Sequence, residues 1–379
     1  MVNLILKEAI TQKASDIHIE PFESELRLRY RIDGTLSTFL TTPIRYTNAV
    51  TSRIKIMSGL DISERRLPQD GRFRIKTGGK YVDFRVSTFP GMFGEKVVLR
   101  LLDSTNTLLE VEKLGLIESD LETFMAEISK SKGMILVTGP TGSGKTTTLY
   151  SVLQKLNDGT INISTAEDPV EYNLKGINQF QMNAKIGLNF SRALRTILRQ
   201  DPDIIMVGEI RDQETAGIAI KAALTGHLVL STLHTNSAPE TVMRLLDMGI
   251  EPYLITSAVN MVIAQRLMRK ICDVCKTETA PTPLQLKIIN RHHFDVAGMT
   301  FYKGQGCETC NHTGYRERIA IYELMPISED LQEIISSGGS FVKLKAKARE
   351  SGFVSLQNRG YDQIVEGVTS LDEWVRVLA

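Results

Sequence analysis

The residues Gly139-Pro-Thr-Gly-Ser-Gly-Lys145-Thr146 have the types and spacing that hold a polyphosphate: a glycine, four residues, then Gly-Lys-Thr. Gly139, Gly142 and Gly144 let the backbone approach an anion closely. The amides from Thr141 through Ser143 to Thr147 can then point into one concavity, and the following helix N-terminus adds partial positive charge. Lys145 would reach the β- and γ-phosphates, and the Thr146 hydroxyl would bind Mg²⁺. A plain glycine-rich turn would not need the flanking pattern. Met134-Ile-Leu-Val137 reads as a buried strand and Thr147 to Leu156 as a helix, so the expected ligand is a nucleoside triphosphate.

Further reactive groups follow other apolar runs. The 161–165 run leads into Glu167-Asp168-Pro-Val-Glu171, the 204–207 run into Gly208-Glu209, and the 228–231 run into Thr232-Leu-His234. In open parallel sheets, ligands sit at the carboxyl ends of strands. Hydrolysis of a triphosphate needs a metal, an oriented water and positive charge on the leaving group. Glu209 is the candidate for Mg²⁺, held directly or through water. Glu167 or Glu171 would orient the water, and His234 would sense the γ-phosphate. The bland reading of each carboxylate is a helix cap or a surface pair. For His227, beside Gly226 at a strand start, it is a turn cap.

Arg85 and Arg100 alternate with apolar residues and can face one cleft, whereas Arg195 and Arg199 share a helix face. Either pair can supply positive charge to a phosphate at a boundary. Cys272-x-x-Cys275 and Cys307-x-x-Cys310 form two knuckles that suit a closed, structural zinc site. Disulfides and an iron–sulfur cluster are the alternatives, with His292, His293 and His312 as substitute ligands.

The elements that must position these groups are legible in outline. The chain has 379 residues, 42% hydrophobic and 23% charged, with a net charge of +1, and no apolar stretch of membrane-spanning length. Two or three soluble, cytoplasmic domains are expected, with no global pull toward nucleic acid. Residues 1–103 read as a small α+β domain. It has an opening helix, alternating segments at 16–20, 26–32, 82–86 and 97–101, a turn at Asp33-Gly34, and a helix near 48–58. Residues 104–113 read as a linker. Residues 114–267 read as an α/β core with a mostly parallel sheet, and 268–320 as a tetracysteine zinc subdomain. Residues 321–379 read as helical, with helices at 329–336, 341–351, 356–366 and 371–378.

Four boxes together resemble the secretion-superfamily ATPases of type IV pilus assembly and type II secretion. They are Gly139 to Thr146, Glu167-Asp-Pro-Val-Glu171, Arg199 to Asp212, and Gly226 to His234-Thr. Ala14-Ser-Asp-Ile-His-Ile-Glu-Pro21 and Arg29-Tyr-Arg-Ile-Asp-Gly34 look like that family's second N-terminal domain. The resemblance spans nearly the whole chain.

It implies a RecA-like parallel-sheet ATPase domain preceded by a small PAS-like domain, in a homohexamer that uses ATP, Mg²⁺ and Zn²⁺. It implies that Glu209 is the acidic residue of the second nucleotide box, and that Arg85 and Arg100 reach the phosphates from the N-terminal domain. Arg195, Arg199 and Arg211 would lie near subunit boundaries. The cysteine pairs resemble the zinc insertion of assembly and secretion motors, which retraction motors generally lack. Gly-Met-Phe-Gly-Glu-Lys96 and Gln-Phe-Gln-Met-Asn183 favour the pilus extension branch over type II secretion. The implied partner is an inner-membrane platform protein at the cytoplasmic face, with membrane association through partners only and no nucleic acid. The family's first N-terminal domain is not in this sequence, which suggests a fragment.

Overall fold

A computed structural model describes residues 1–103, 109–294, 296 and 298–379; the start of the expected linker, 104–108, lies outside the described residues. The contacts divide the chain into two compact units, Met1–Thr107 and Leu108–Ala379.

The first unit runs α1 (Val2–Thr11), β1 (Asp16–Pro21), β2 (Glu25–Ile32), β3 (Thr35–Pro43), α2 (Thr47–Met57), β4 (Gln69–Thr77), β5 (Lys80–Gly91) and β6 (Gly94–Asp103). Its six strands form one antiparallel sheet in the order β3-β2-β1-β6-β5-β4. Alternation sorts the two faces. Ile17, Ile19, Leu26, Leu28, Tyr30, Phe84, Val86, Val97 and Leu99 pack with Val2, Ile5, Leu6 and Ala9 of α1 and with Val50 and Ile54 of α2. The other face is an ion-pair layer. Glu20 binds Arg29 at 2.7 Å and Lys96 at 2.8 Å, and Asp16 binds Arg100 at 3.1 Å. The edge strands β3 and β4 hold no fully buried residue; β4 still alternates, with Phe73 and Ile75 packed against the core.

The second unit opens with a short 3-10 turn, Val111–Lys113, and α3 (Glu118–Ile128), followed by β7 (Gly133–Thr138) and α4 (Lys145–Leu156). Then come β8 (Ile163–Glu167), β9 (Asn178–Gln181), α5 (Phe190–Ile197), β10 (Ile204–Val207), α6 (Gln213–Leu224), β11 (Leu228–Leu233), α7 (Ala238–Asp247) and α8 (Pro252–Ala258). The remainder is β12 (Val259–Ile271), β13 (Lys276–Thr279), α9 (Pro283–Arg291), β14 (Phe301–Gly304), β15 (Tyr315–Pro326), α10 (Glu329–Ser336), α11 (Phe341–Glu350), α12 (Leu356–Val365) and α13 (Leu371–Leu378).

Seven strands form the main sheet in the order β15-β12-β7-β11-β10-β8-β9. All its pairings are parallel except β12 with β15. Both faces are covered, as a parallel sheet requires. In β7, Met134 and Leu136 point into one apolar layer, while Ile135 and Val137 point into the other. Serines start three of the last helices: Ser340, Ser355 and Ser370 each accept a hydrogen bond from a first-turn amide. The strands β12 and β15 extend through residues 268 and 320, the sequence-based edges of the cysteine subdomain, so that region grows out of two strands of the main sheet. β13 and β14 pair as a separate antiparallel ribbon.

Candidate nucleotide site and cysteine cluster

The loop 139–144 joins the carboxyl end of β7 to α4. It requires glycine at two points. Gly139 has φ 148 and Gly144 φ 90. A Cβ built on Gly139 would stand 2.6 Å from the Gln265 carbonyl oxygen, and one on Gly144 would stand 2.7 Å from Gln265 Nε2. The N-terminus of α4 carries no side-chain cap, so its first amides stay available to an anion. Ser143 Oγ is buried with no hydrogen-bond partner. Thr141, Thr146 and Thr147 are exposed. An uncapped helix end, an orphaned hydroxyl and a cradle that a Cβ would fill fit a polyphosphate.

Lys145 folds back on the loop, donating to the carbonyls of Gly139 at 2.7 Å and Pro140 at 3.1 Å. Burial, with a smaller push from the nearby Arg266 charge, lowers its ammonium to about 8 against the opposing pull of Glu209. Glu209 follows β10 and pairs with Arg211, while His234, following β11, brings Nε2 to 3.6 Å from the same carboxylate. Burial and the Lys145 charge hold His234 below the ordinary imidazole value, against Glu209. Lys145, Glu209, Arg211 and His234 therefore converge from three separate strand ends.

Glu167 closes β8 but is 3% exposed. Its carboxylate accepts from Tyr150 OH, from Thr165 Oγ1 at 2.5 Å and from Gln179 Nε2 at 3.0 Å. Tyr150 OH in turn accepts from the Glu171 amide at 3.3 Å. These three neutral donors fill most of the roughly four acceptor sites of a carboxylate. His227 lies at the opposite, amino end of β11, with Nδ1 2.9 Å from the Ala222 carbonyl of α6.

Sequence reasoning missed Gln265 and Arg266. Strand β12 runs beside β7 with Ala264 opposite Thr138, so the next two residues stand where the phosphate loop begins. Gln265 is 2% exposed and accepts from Thr148 Oγ1 at 2.8 Å. Arg266 is 8% exposed and donates to the carbonyls of Gln265 at 3.0 Å and Asn236 at 2.9 Å. The available signal was two long polar residues inside the otherwise apolar run Val262–Met268.

In the first unit Arg85 lies opposite Arg100 in the β5–β6 register, so both lie on the charged face. Arg195 pairs with Glu214 at 3.1 Å, and Arg199 donates to the Arg195 carbonyl at 2.8 Å.

The four cysteines are reduced, and their Sγ atoms all lie within 4.8 Å of one another. Cys272 and Cys307 are 3.8 Å apart, Cys275 and Cys310 3.8 Å, and Cys307 and Cys310 3.7 Å. A tetrahedral zinc with Zn–S of about 2.3 Å implies an edge of about 3.8 Å, whereas a disulfide needs about 2 Å. Backbone amides of Gly306, Cys307 and Gly314 point at the sulfurs, as thiolates require. His292 packs instead against Phe294 and Trp374.

Residues 1–376 match the family described as Type II/IV secretion system protein. The chain is 56% identical over 377 residues to a type IV pilus assembly ATPase PilB of Myxococcus xanthus, covering 99% of this chain and 67% of that protein. It is 48% identical to a type II secretion system protein E of Pseudomonas aeruginosa, covering 100% of this chain and 74% of that one. A solved structure of the pilus retraction motor PilT with bound ADP aligns with a TM-score of 0.65 at 27% identity, over 99% of this chain and 96% of that one. The chain spans 42% to 67% of the length of the first PilB relatives it matches.

Proposed function

The chain belongs to the type II/IV secretion system protein family, and we propose that it is an ATP-hydrolysing motor that drives assembly of type IV pili. The observation that carries the enzymatic reading is the convergence of Lys145, Glu209 and His234 on an uncapped helix end beneath a glycine loop. The 56% identity to a pilus assembly ATPase favours pili over secretion. The 48% identity to a type II secretion protein keeps that export role as the second reading.

In this reading the amides of residues 141–147 and Lys145 hold the triphosphate, Lys145 exchanging its two carbonyl partners for phosphate oxygens. Thr146 and Glu209 would hold Mg²⁺, which would supply positive charge to offset the negative charge on the phosphates. Glu167, fixed by Tyr150, Thr165 and Gln179, keeps roughly one acceptor site to orient the attacking water. His234, kept neutral, can donate to the γ-phosphate. Arg85 and Arg100, with Arg195, Arg199 and Arg211, would supply the remaining positive charge in a homohexamer. The cysteines would hold zinc as a structural staple. The motor would act on an inner-membrane platform protein at the cytoplasmic face, with no nucleic-acid partner. A nucleic-acid translocase is disfavoured by the net charge of +1 and by the family.

Glu209→Gln should retain ATP but slow turnover by about a hundredfold or more, the scale of a lost transition-state contact. Introduced on the chromosome, it should abolish surface fibres and spare protein export. Loss of export with intact fibres would transfer the reading to secretion, and unchanged hydrolysis would remove Glu209 from the site.

A further inference from the structure

Arg266 has no place in the readings above, yet it is one of the few nearly buried cations in the second unit. A buried guanidinium ordinarily has a carboxylate partner, because removing its charge from water is expensive. Among the described residues no carboxylate lies within ion-pairing distance of Arg266; its two close partners are carbonyl oxygens. The nearest balancing charges, Glu323 and Glu240, act only at longer range, and Glu323 is already occupied capping α7 and α12 through the amides of Ala238 and Leu356.

Position gives the uncompensated charge a purpose. Arg266 Nη1 lies 3.1 Å from where a Gly139 Cβ would be, so the guanidinium backs the first residue of the phosphate loop. Its Nη2 bonds Asn236, two residues beyond His234. Its neighbour Gln265 reaches Thr148 on α4 and abuts Gly144. Arg266 thus joins the phosphate loop to the His234 loop, and its charge is felt at Lys145.

We propose that Arg266 is a positioning residue for the phosphate chain: it ties the phosphate loop to the His234 loop and adds a second buried positive charge that favours the more highly charged nucleotide. A charge held this deep is little screened by salt, unlike a surface lysine. It stabilises a triphosphate more than a diphosphate, because the attraction scales with ligand charge. The inference rests on the nucleotide reading of the loop.

The test measures dissociation constants for Mg-ATP and Mg-ADP by calorimetry, in the full chain and in Arg266→Met, Arg266→Lys and Lys145→Ala. Arg266→Met should lose about tenfold in its preference for triphosphate over diphosphate, the loss persisting at high salt. Arg266→Lys keeps the charge but not the fork that holds the Gln265 and Asn236 carbonyls together; it should keep the preference and lose kcat, with KM little changed. Equal weakening of both nucleotides in Arg266→Met, or no weakening, overturns the inference while leaving the site intact. If Arg266→Met does not fold, loss of the preference in Arg266→Lys overturns it equally. Absence of binding by the unaltered chain, or full binding by Lys145→Ala, sinks the nucleotide reading and this inference together.

Discussion

The phosphate loop and the cysteine cluster lie in one unit, but they are finished in opposite ways. The cysteine cluster completes itself: its sulfurs approach one another at tetrahedral spacing, and the amides that point at them belong to Gly306, Cys307 and Gly314 beside the second knuckle. The phosphate site is assembled from strands far apart in the chain, with Lys145 after β7, Glu209 after β10, His234 after β11, and Gln265 and Arg266 within β12. One is a local device on a ribbon. The other exists only because parallel strands end at a common level.

That contrast can be broken experimentally, most forcefully at the cysteines. Metal chelation, or Cys275→Ser, should remove a binding term on the order of 10 kcal/mol and melt the segment between the knuckles, seen as lost amide protection there. Nucleotide affinity should change by less than about threefold, because the sites are separate. If affinity collapses with the metal, the cluster is not self-contained and the comparison fails. A folded segment with no zinc released would end the metal reading.

The phosphate side is sharpened next by Glu167→Gln. An amide nitrogen placed against the donors of Tyr150, Thr165 and Gln179 leaves buried groups unsatisfied, at about 1–3 kcal/mol. A clear drop in Tm is expected beside the loss of turnover. An unchanged melt would mean that the network does not hold the strand ends together.

The smallest effect is a pH dependence. The free Lys145 titrates at about 8, below the ordinary lysine value, because it is buried. A bound polyphosphate favours the protonated ammonium and raises that value. Affinity should therefore be flat below about pH 7 and fall above about pH 8, by up to tenfold per unit, as binding must take up a proton. Lys145→Arg should remove the bend, since arginine stays charged. A flat profile in the unaltered chain would show that the lysine is not desolvated.

Much of this was legible in the sequence. Short, uniformly apolar runs such as Ile204–Val207 announced buried parallel strands, and the last four helices were read within a residue or so of their observed bounds. The edge strands β3 and β4 were not read: β3 is mostly Thr and Ser with no buried residue, and in β4 only Phe73 and Ile75 carry the apolar alternation. Nor was β12 as a long strand, since Gln265 and Arg266 interrupt its pattern.

The sequence by itself set the glycine pattern of the 139–144 loop and the spacing of the cysteine pairs, because each is written in backbone freedom and spacing over a few residues. Only the tertiary structure decided which carboxylate faces the lysine. Glu209 and Glu167 follow equally good strands, yet one stands beside Lys145 and His234, and the other is enclosed by Tyr150 and Gln179. That choice depends on which neighbouring strand and helix each carboxylate meets, and long-range register of that kind is not written in any local pattern.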